Sequence, residues 1–256
     1  MTPAEEVLGL SWDLLWLHVI VFLRVGPVIS LIPGFGEQSV PMRIKLAIAL
    51  AMTAIIAPAT FPDLRSFVAE PPPLGWLVFS ESLIGLIIGI GIRFFLLGLQ
   101  TAGSMAAQST SLTQILGNTG LTPLPAMGFI LVIGALALAM MSGLHVRVAE
   151  MLILTYGLFP PAELPNVDAV TSWGVRQIAG AFALAFTLAA PFLIISVLYN
   201  LTLGIINRAM PQMMVVFVGA PVITLGGLYL LFLTAPTMLS LWVAALNGFL
   251  ENPFGG

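Results

Sequence analysis

An all-α membrane protein of about six long apolar helices is what this sequence predicts, and three observations predict it. Charged residues make up 7% of the 256 residues and apolar residues 59%, against about 25% charged in an ordinary soluble domain. Too little polar surface exists to cover a water-exposed globule. Apolar stretches run over 14–31, 44–57, 74–99, 127–144, 178–206 and 213–246, and a bilayer crossing needs about 20 residues. The intervals 94–146, 177–207 and 209–250 contain no Asp, Glu, Lys or Arg. Continuous apolar runs of this kind make helices, whereas the strands of a membrane barrel alternate over about 10 residues.

The first stretch, 14–31, carries Arg24 near its middle, where insertion costs about 2.5–3.5 kcal/mol. Arg24 must therefore face protein, water or an opposite charge, as a structural residue or as part of a conduit lining. Glu5, Glu6 and Asp13 precede this stretch; a secretory signal has a basic start and a small-residue cleavage site, so the span is expected to be retained. The second stretch, 44–57, is short, and is expected to be tilted, re-entrant or buried among other helices.

The third stretch, 74–99, holds Glu81 and Arg93 twelve positions apart, about 18 Å along a helix. They cannot pair with each other, so each asks for a partner from another span or subunit. Arg93, close to the helix end, is expected to snorkel to the interface. Gly85 and Gly89 form a GxxxG pair followed by Gly91, a close-packing face that serves either within the chain or between subunits.

The interval 101–125 is uncharged yet dense in Ser104, Gln108, Ser109, Thr110, Ser111, Thr113, Gln114, Asn118 and Thr119. It is too polar for lipid and lacks the charges of a solvent loop. Such a segment belongs where polar backbone lies inside protein or lines a watery cavity at membrane depth, and we read it as a conduit lining or plug in preference to an interfacial loop.

After the fourth stretch, 127–144, come His145, Arg147 and Glu150, the last two at the i, i+3 spacing of a helix-surface ion pair. Pro191 and Pro236 fall inside the last two stretches and are expected to kink them. Turns are expected at Pro33-Gly34-Phe35-Gly36, 71–73, 123–125 and 160–161. With the N-terminus outside, Arg43, Lys45 and Arg208 fall on the cytoplasmic side with Arg93 near it, and Arg65, Arg147 and Arg176 on the other. This thin bias favours both termini outside.

Several function classes are excluded or unsupported. A net charge of -3 and the absence of a Lys/Arg cluster leave nothing to hold a nucleic acid. With no cysteine, disulfides, thiolate metal sites and a Cys nucleophile are excluded. The two histidines, His18 and His145, lack the HExxH spacing of a helical metal site. No nucleophile elbow, Walker lysine motif or dinucleotide glycine signature is present, so neither catalysis nor a cofactor is expected. A small-solute or ion transporter using Arg24 and Glu81 as intramembrane coupling charges is the alternative reading; no inverted repeat supports it.

Two blocks of residues resemble a known family. The run Phe22-Leu23-Arg24-Val25, then Pro33-Gly34-Phe35-Gly36, then Val40-Pro41-Met42-Arg43-Ile44-Lys45-Leu46-Ala47 is similar to the N-terminal signature of the FliR family of the flagellar type III export apparatus. Gly204-Ile205-Ile206-Asn207-Arg208-Ala209-Met210-Pro211-Gln212, followed by Val216-Phe217, resembles that family's C-terminal signature. Glu81, Gly85, Gly89, and Gly143-Leu144-His145 leading to Phe159-Pro160 fall between them in the family's order, and virulence-associated injectisomes contain a related subunit.

The resemblance implies a single membrane-embedded domain over 1–256, with a FliP-like part at 1–176 and a FliQ-like hairpin at 177–256. It implies assembly with FliP and FliQ into an inner-membrane gate of the flagellar basal body, contact with FlhB, and passage of unfolded flagellar substrates. The segment 106–121, with Ala106 and Gly117 among its residues, matches the family's plug loop. Asn207, Arg208, Pro211 and Gln212 match the hairpin turn that faces the cytoplasm and FlhB. In such an assembly Arg24 and Glu81 are expected to find partners only when neighbouring subunits are present.

Overall fold

The computed structural model describes residues 3–69, 72–110, 126–210 and 215–255, and among them every regular element is a helix. In chain order these are α1 (Pro3–Leu31), α2 (Met42–Ala69), α3 (Leu74–Thr110), α4 (Ala126–Met141), α5 (Leu144–Leu158), α6 (Val167–Ala209) and α7 (Val215–Glu251). Helices are the expected outcome for apolar segments in lipid, because each satisfies its own backbone polar groups.

Five of these helices are long and apolar enough to cross a membrane, and α4 with α5, bent by 68° at their junction, passes the same test as a pair, as a broken span or a re-entrant loop. The break falls at Ser142 and Gly143; Gly143 takes φ 80°, a left-handed conformation that glycine adopts without steric penalty. The chain is a multi-pass membrane protein. The short reading of the second stretch is corrected: α2 runs on through Pro58 and Pro62 to Ala69, and its apolar part, Met42–Pro62, spans 21 residues. Thr60 Oγ1, donating to the carbonyls of Ile56 and Ala57 at 3.2 Å, occupies acceptors in this proline-interrupted turn.

The chain divides into two compact units. Unit 1 takes Met1–Arg93, Met140–Gln177 and Leu246–Gly256; unit 2 takes Phe94–Ala139 and Ile178–Ala245. In unit 1, α1 packs on α2, and α2 on α5. The buried face of α1 repeats at helical spacing through Leu17, Ile20, Val21, Arg24, Val28 and Ile29. The first half of α3 runs parallel to α1: a side chain at Gly85 would strike the Arg24 carbonyl, one at Gly89 would meet Leu31 and Val28 at 3.0–3.3 Å, and Arg93 reaches Glu37 beyond the end of α1. The GxxxG face is thus spent inside the chain, where small residues supply the close approach that drives helix association in lipid.

The connection from α1 to α2 is tightly wound. The Ile32 N–H donates to the Val28 carbonyl at 2.9 Å and the Gly36 N–H to the Ile32 carbonyl at 2.8 Å. Gly34 turns the chain at φ 91°, and Lys45 Nζ donates to the Gly36 carbonyl at 2.9 Å.

Unit 2 is packed almost without polar help. Gly98 lies under α6, where an added Cβ would be 3.0 Å from the Ala181 carbonyl, and Gly103 of α3 meets the backbone of Gly128 of α4. Ala102, Ala106, Ala135, Ala185 and Ala189 are buried around these crossings. Trp242 supplies a directional contact, its Nε1 donating to the Phe95 carbonyl at 2.8 Å.

Candidate functional site

The buried charges of unit 1 converge on one place. Arg24 of α1 and Glu81 of α3 are both fully buried, and Arg24 Nε donates to Glu81 Oε2 at 2.8 Å. The remaining guanidinium nitrogens reach α5 and the chain beyond it: Nη1 donates to Thr155 Oγ1 at 3.3 Å and Nη2 to the Phe159 carbonyl at 2.9 Å. Thr155 in turn donates to the Leu152 carbonyl at 2.7 Å, which turns its lone pairs toward Arg24. The guanidinium also lies over the Tyr156 ring, 3.8 Å from its centre.

Glu81 is held from its other side as well. Its Oε1 accepts from the Ala162 N–H at 3.2 Å. Ala162 sits at φ 63°, a left-handed conformation that costs a residue with a Cβ about 1–2 kcal/mol. The Ala162 carbonyl accepts from Trp76 Nε1 at 2.7 Å, so both polar groups of the strained residue are tied to α3. The sequence explains why this residue is forced: Pro160 and Pro161 cannot donate, and they restrict the chain that must turn from α5 toward α6.

Chemically the arrangement is a closed, neutral ion pair. Moving two charges out of water costs several kcal/mol per ion, repaid only when geometry and additional hydrogen bonds are good, and here both groups have them. Among the described residues no cluster of acidic or histidine side chains could hold a metal. What the cluster does is fix three helices and the 159–162 connection in one register.

The expectation that Arg24 and Glu81 find partners only on assembly is therefore corrected, since they find each other across 57 positions of one chain. Arg93 is likewise not snorkelling: its Nη1 donates to Glu37 Oε1 at 2.7 Å in a half-buried pair. Arg147 does not pair with Glu150 but with Glu251 at the end of α7, at 3.3 Å. Thr155, Tyr156, Trp76, Ala162 and Glu37 were not singled out from the sequence. Their contributions are a hydroxyl, a ring face, an indole N–H, one residue's backbone amide and carbonyl, and a loop carboxylate, none of which leaves a spacing signal.

The remaining sequence-derived sites divide. Ala106 is buried, Gln108 exposed and Ser109 half-buried on the last turns of α3, which ends at Thr110; the first part of the 106–121 segment is thus helix. Ser109 Oγ donates to the Ala106 carbonyl at 2.7 Å. Ser111, Thr113, Gln114, Gly117, Asn118 and Thr119 lie outside the described residues. Asn207 and Arg208 are exposed in the last turn of α6, where a cation complements the helix dipole. Pro211 and Gln212 lie outside the described residues.

A family model described as Bacterial export proteins, family 1, matches residues 15–249. The flagellar biosynthetic protein FliR of Caulobacter vibrioides is 32% identical over 229 residues, covering 89% of this chain and 91% of that one. The FliR protein of Escherichia coli is 28% identical over 239 residues, covering 90% and 89%. That of Bacillus subtilis is 26% identical over 227 residues, covering 82% of each.

Proposed function

This chain belongs to the bacterial export proteins, family 1, the family of the FliR proteins, and from that premise we propose that it is a structural, pore-forming subunit of the flagellar type III export gate in the bacterial inner membrane. It passes unfolded flagellar proteins, in a hetero-oligomer with FliP and FliQ and in contact with FlhB. The observation that carries this reading is the length of its apolar helices. α3, α6 and α7 have 37, 43 and 37 residues, about 55, 64 and 55 Å at 1.5 Å per residue, whereas the hydrocarbon core is about 30 Å thick.

Large apolar side chains stay exposed along this length, in α6 from Val175 and Ile178 through Phe186 and Ile195 to Leu201 and Ile205. Lipid covers only part of such a face. Neighbouring protein must cover the rest, which a subunit of a larger assembly obtains and a transporter working alone does not. The closed Arg24–Glu81 pair also leaves no free charge at that position to couple an ion to a solute.

Within this reading the uncharged polar segment 106–121 serves as the plug of the conduit. Fixed charge there would bind some polypeptides too tightly to release, while Ser, Thr, Gln and Asn bind all of them weakly. The hairpin turn at Asn207, Arg208, Pro211 and Gln212 faces FlhB, and the parts 1–176 and 177–256 act as FliP-like and FliQ-like elements. Deleting 106–121 tests the plug: membrane insertion stays intact and ion leak rises, and unchanged leak with unchanged export would refute that role. Replacing Arg208 by Ala is expected to reduce copurification of FlhB.

A further inference from the structure

The segment that follows α7 is tied to unit 1 at several points. The Asn252 N–H makes the last helical bond, to the Gly248 carbonyl at 3.3 Å, and Pro253, which has no N–H to give, ends the helix. Glu251 reaches Arg147 of α5 at 3.3 Å. The Pro253 carbonyl accepts from Trp173 Nε1 of α6 at 2.7 Å in a buried hydrogen bond. The Phe254 ring meets two others, Phe159 edge-on at 4.9 Å between centres and Trp173 at 5.4 Å, both within the range at which aromatic pairs attract. α3 leaves room for this arrangement at Gly91, where an added Cβ would be 2.9 Å from the Phe249 ring and from the Trp173 ring. Four helices thus meet around residues 249–254, all within unit 1.

Phe159 joins this aromatic contact to the buried charges. Its N–H donates to the Thr155 carbonyl at 2.8 Å, its carbonyl accepts from Arg24 Nη2 at 2.9 Å, and its ring packs on Phe254. Pro160 restricts the residue before it to extended backbone, and Phe159 sits at φ -127° and ψ 90°. The chain there has little freedom to keep the carbonyl in place when the ring shifts. The two ends of this link differ in depth. Arg24 and Glu81 are fully buried, whereas Glu251 and Asn252 are exposed and Phe254 is half-buried.

We propose that residues 251–254 form a strap whose closure on Phe159 holds the Phe159 carbonyl against Arg24, so that lifting the strap loosens the sealed Arg24–Glu81 cluster. Phe254 is then a positioning residue for a hydrogen bond between two other residues. Through it an exposed segment gains control over an ion pair that solvent does not reach.

The test is amide hydrogen exchange of the full chain in mild detergent, which reads local opening residue by residue. Phe254→Ala is expected to speed exchange at the Phe159 and Ala162 amides about tenfold or more, while the Ile32 and Gly36 amides of the α1–α2 connection keep their rates. Trp173→Phe, which keeps a ring but removes the donor to Pro253, is expected to do the same to a smaller degree. It decides the matter if Phe254→Ala does not fold. In the Arg24→Met, Glu81→Leu background Phe254→Ala is expected to shift the unfolding midpoint less than in the unaltered chain, because coupled sites are not additive.

Faster exchange confined to the last turn of α7, with Phe159 and Ala162 unchanged, would overturn the proposal. So would equal acceleration at Ile32 and Gly36, which marks a general loss of stability, or equal midpoint shifts in the two backgrounds.

Discussion

The two units of this chain solve the same problem by opposite means. Among the described residues unit 1 holds all three ion pairs, two of them joining different helices, and the hydrogen-bonded turn around Ala162. Unit 2 contains one charged residue, Arg208, and relies on Gly98, Gly103, Gly128 and buried alanines to bring helices into contact. In lipid the hydrophobic effect does not favour one helix pairing over another. Directional polar contacts or close steric fit must specify the arrangement, and each unit uses mainly one of them. The difference teaches where each is tolerable: the unit that carries the neutral polar segment after α3 is the one kept almost free of fixed charge.

Breaking the charge side of this contrast gives the largest expected effect. Arg24→Ala or Glu81→Ala leaves an uncompensated buried charge and is expected to lower stability by about 3–5 kcal/mol, read as a fall in the unfolding midpoint in detergent. The double variant Arg24→Met with Glu81→Leu recovers a large part of that loss, because two apolar side chains replace two desolvated ions. A double variant as unstable as the singles would show that the hydrogen bonds to Phe159 and Ala162 dominate.

The steric side is probed by Gly103→Ala. Its Cβ would run into the Gly128 backbone, which cannot rotate aside, and overpacking of this kind costs about 1–3 kcal/mol. Salt should not change that cost. Gly180→Ala in α6 is its control, since a Cβ there meets nothing within 4 Å, and it is expected to gain about 0.5–1 kcal/mol from helix propensity. Equal effects of the two substitutions would contradict the claim that unit 2 is specified by close approach.

The smallest effect is expected at Arg93→Gln. The pair with Glu37 is only half-buried, so its loss is expected to cost about 1 kcal/mol or less and to shrink further at high salt. A loss as large as that of Arg24→Ala would mean that the α1–α2 connection depends on this ion pair more than on its own backbone turns.

Much of this architecture was legible from composition, because charge-free runs of crossing length leave a chain few alternatives. The turn at Gly34 was visible as glycine punctuation, whereas the break at Gly143 was not, because the apolar stretch 127–144 runs straight through it. What sequence reading misplaced has physical causes. The second apolar stretch reads as short, ending at Ala57, but the helix runs on through Pro58 and Pro62 to Ala69. Arg24 and Glu81 each announced the need for a partner, yet nothing in one sequence says that positions 57 apart meet. The other half of the cluster was illegible because the Phe159 carbonyl and the Ala162 amide belong to every residue type, and only the fold aims them.

The claim on which the rest depends is that the long apolar faces of α3, α6 and α7 are covered by other subunits. Its most direct test is the native mass of the particle extracted in mild detergent from cells that also make FliP and FliQ. The account predicts a particle several times heavier than this 27.1 kDa chain, containing those subunits beside it. A stable, monodisperse species of one chain, with both companions absent, would contradict it.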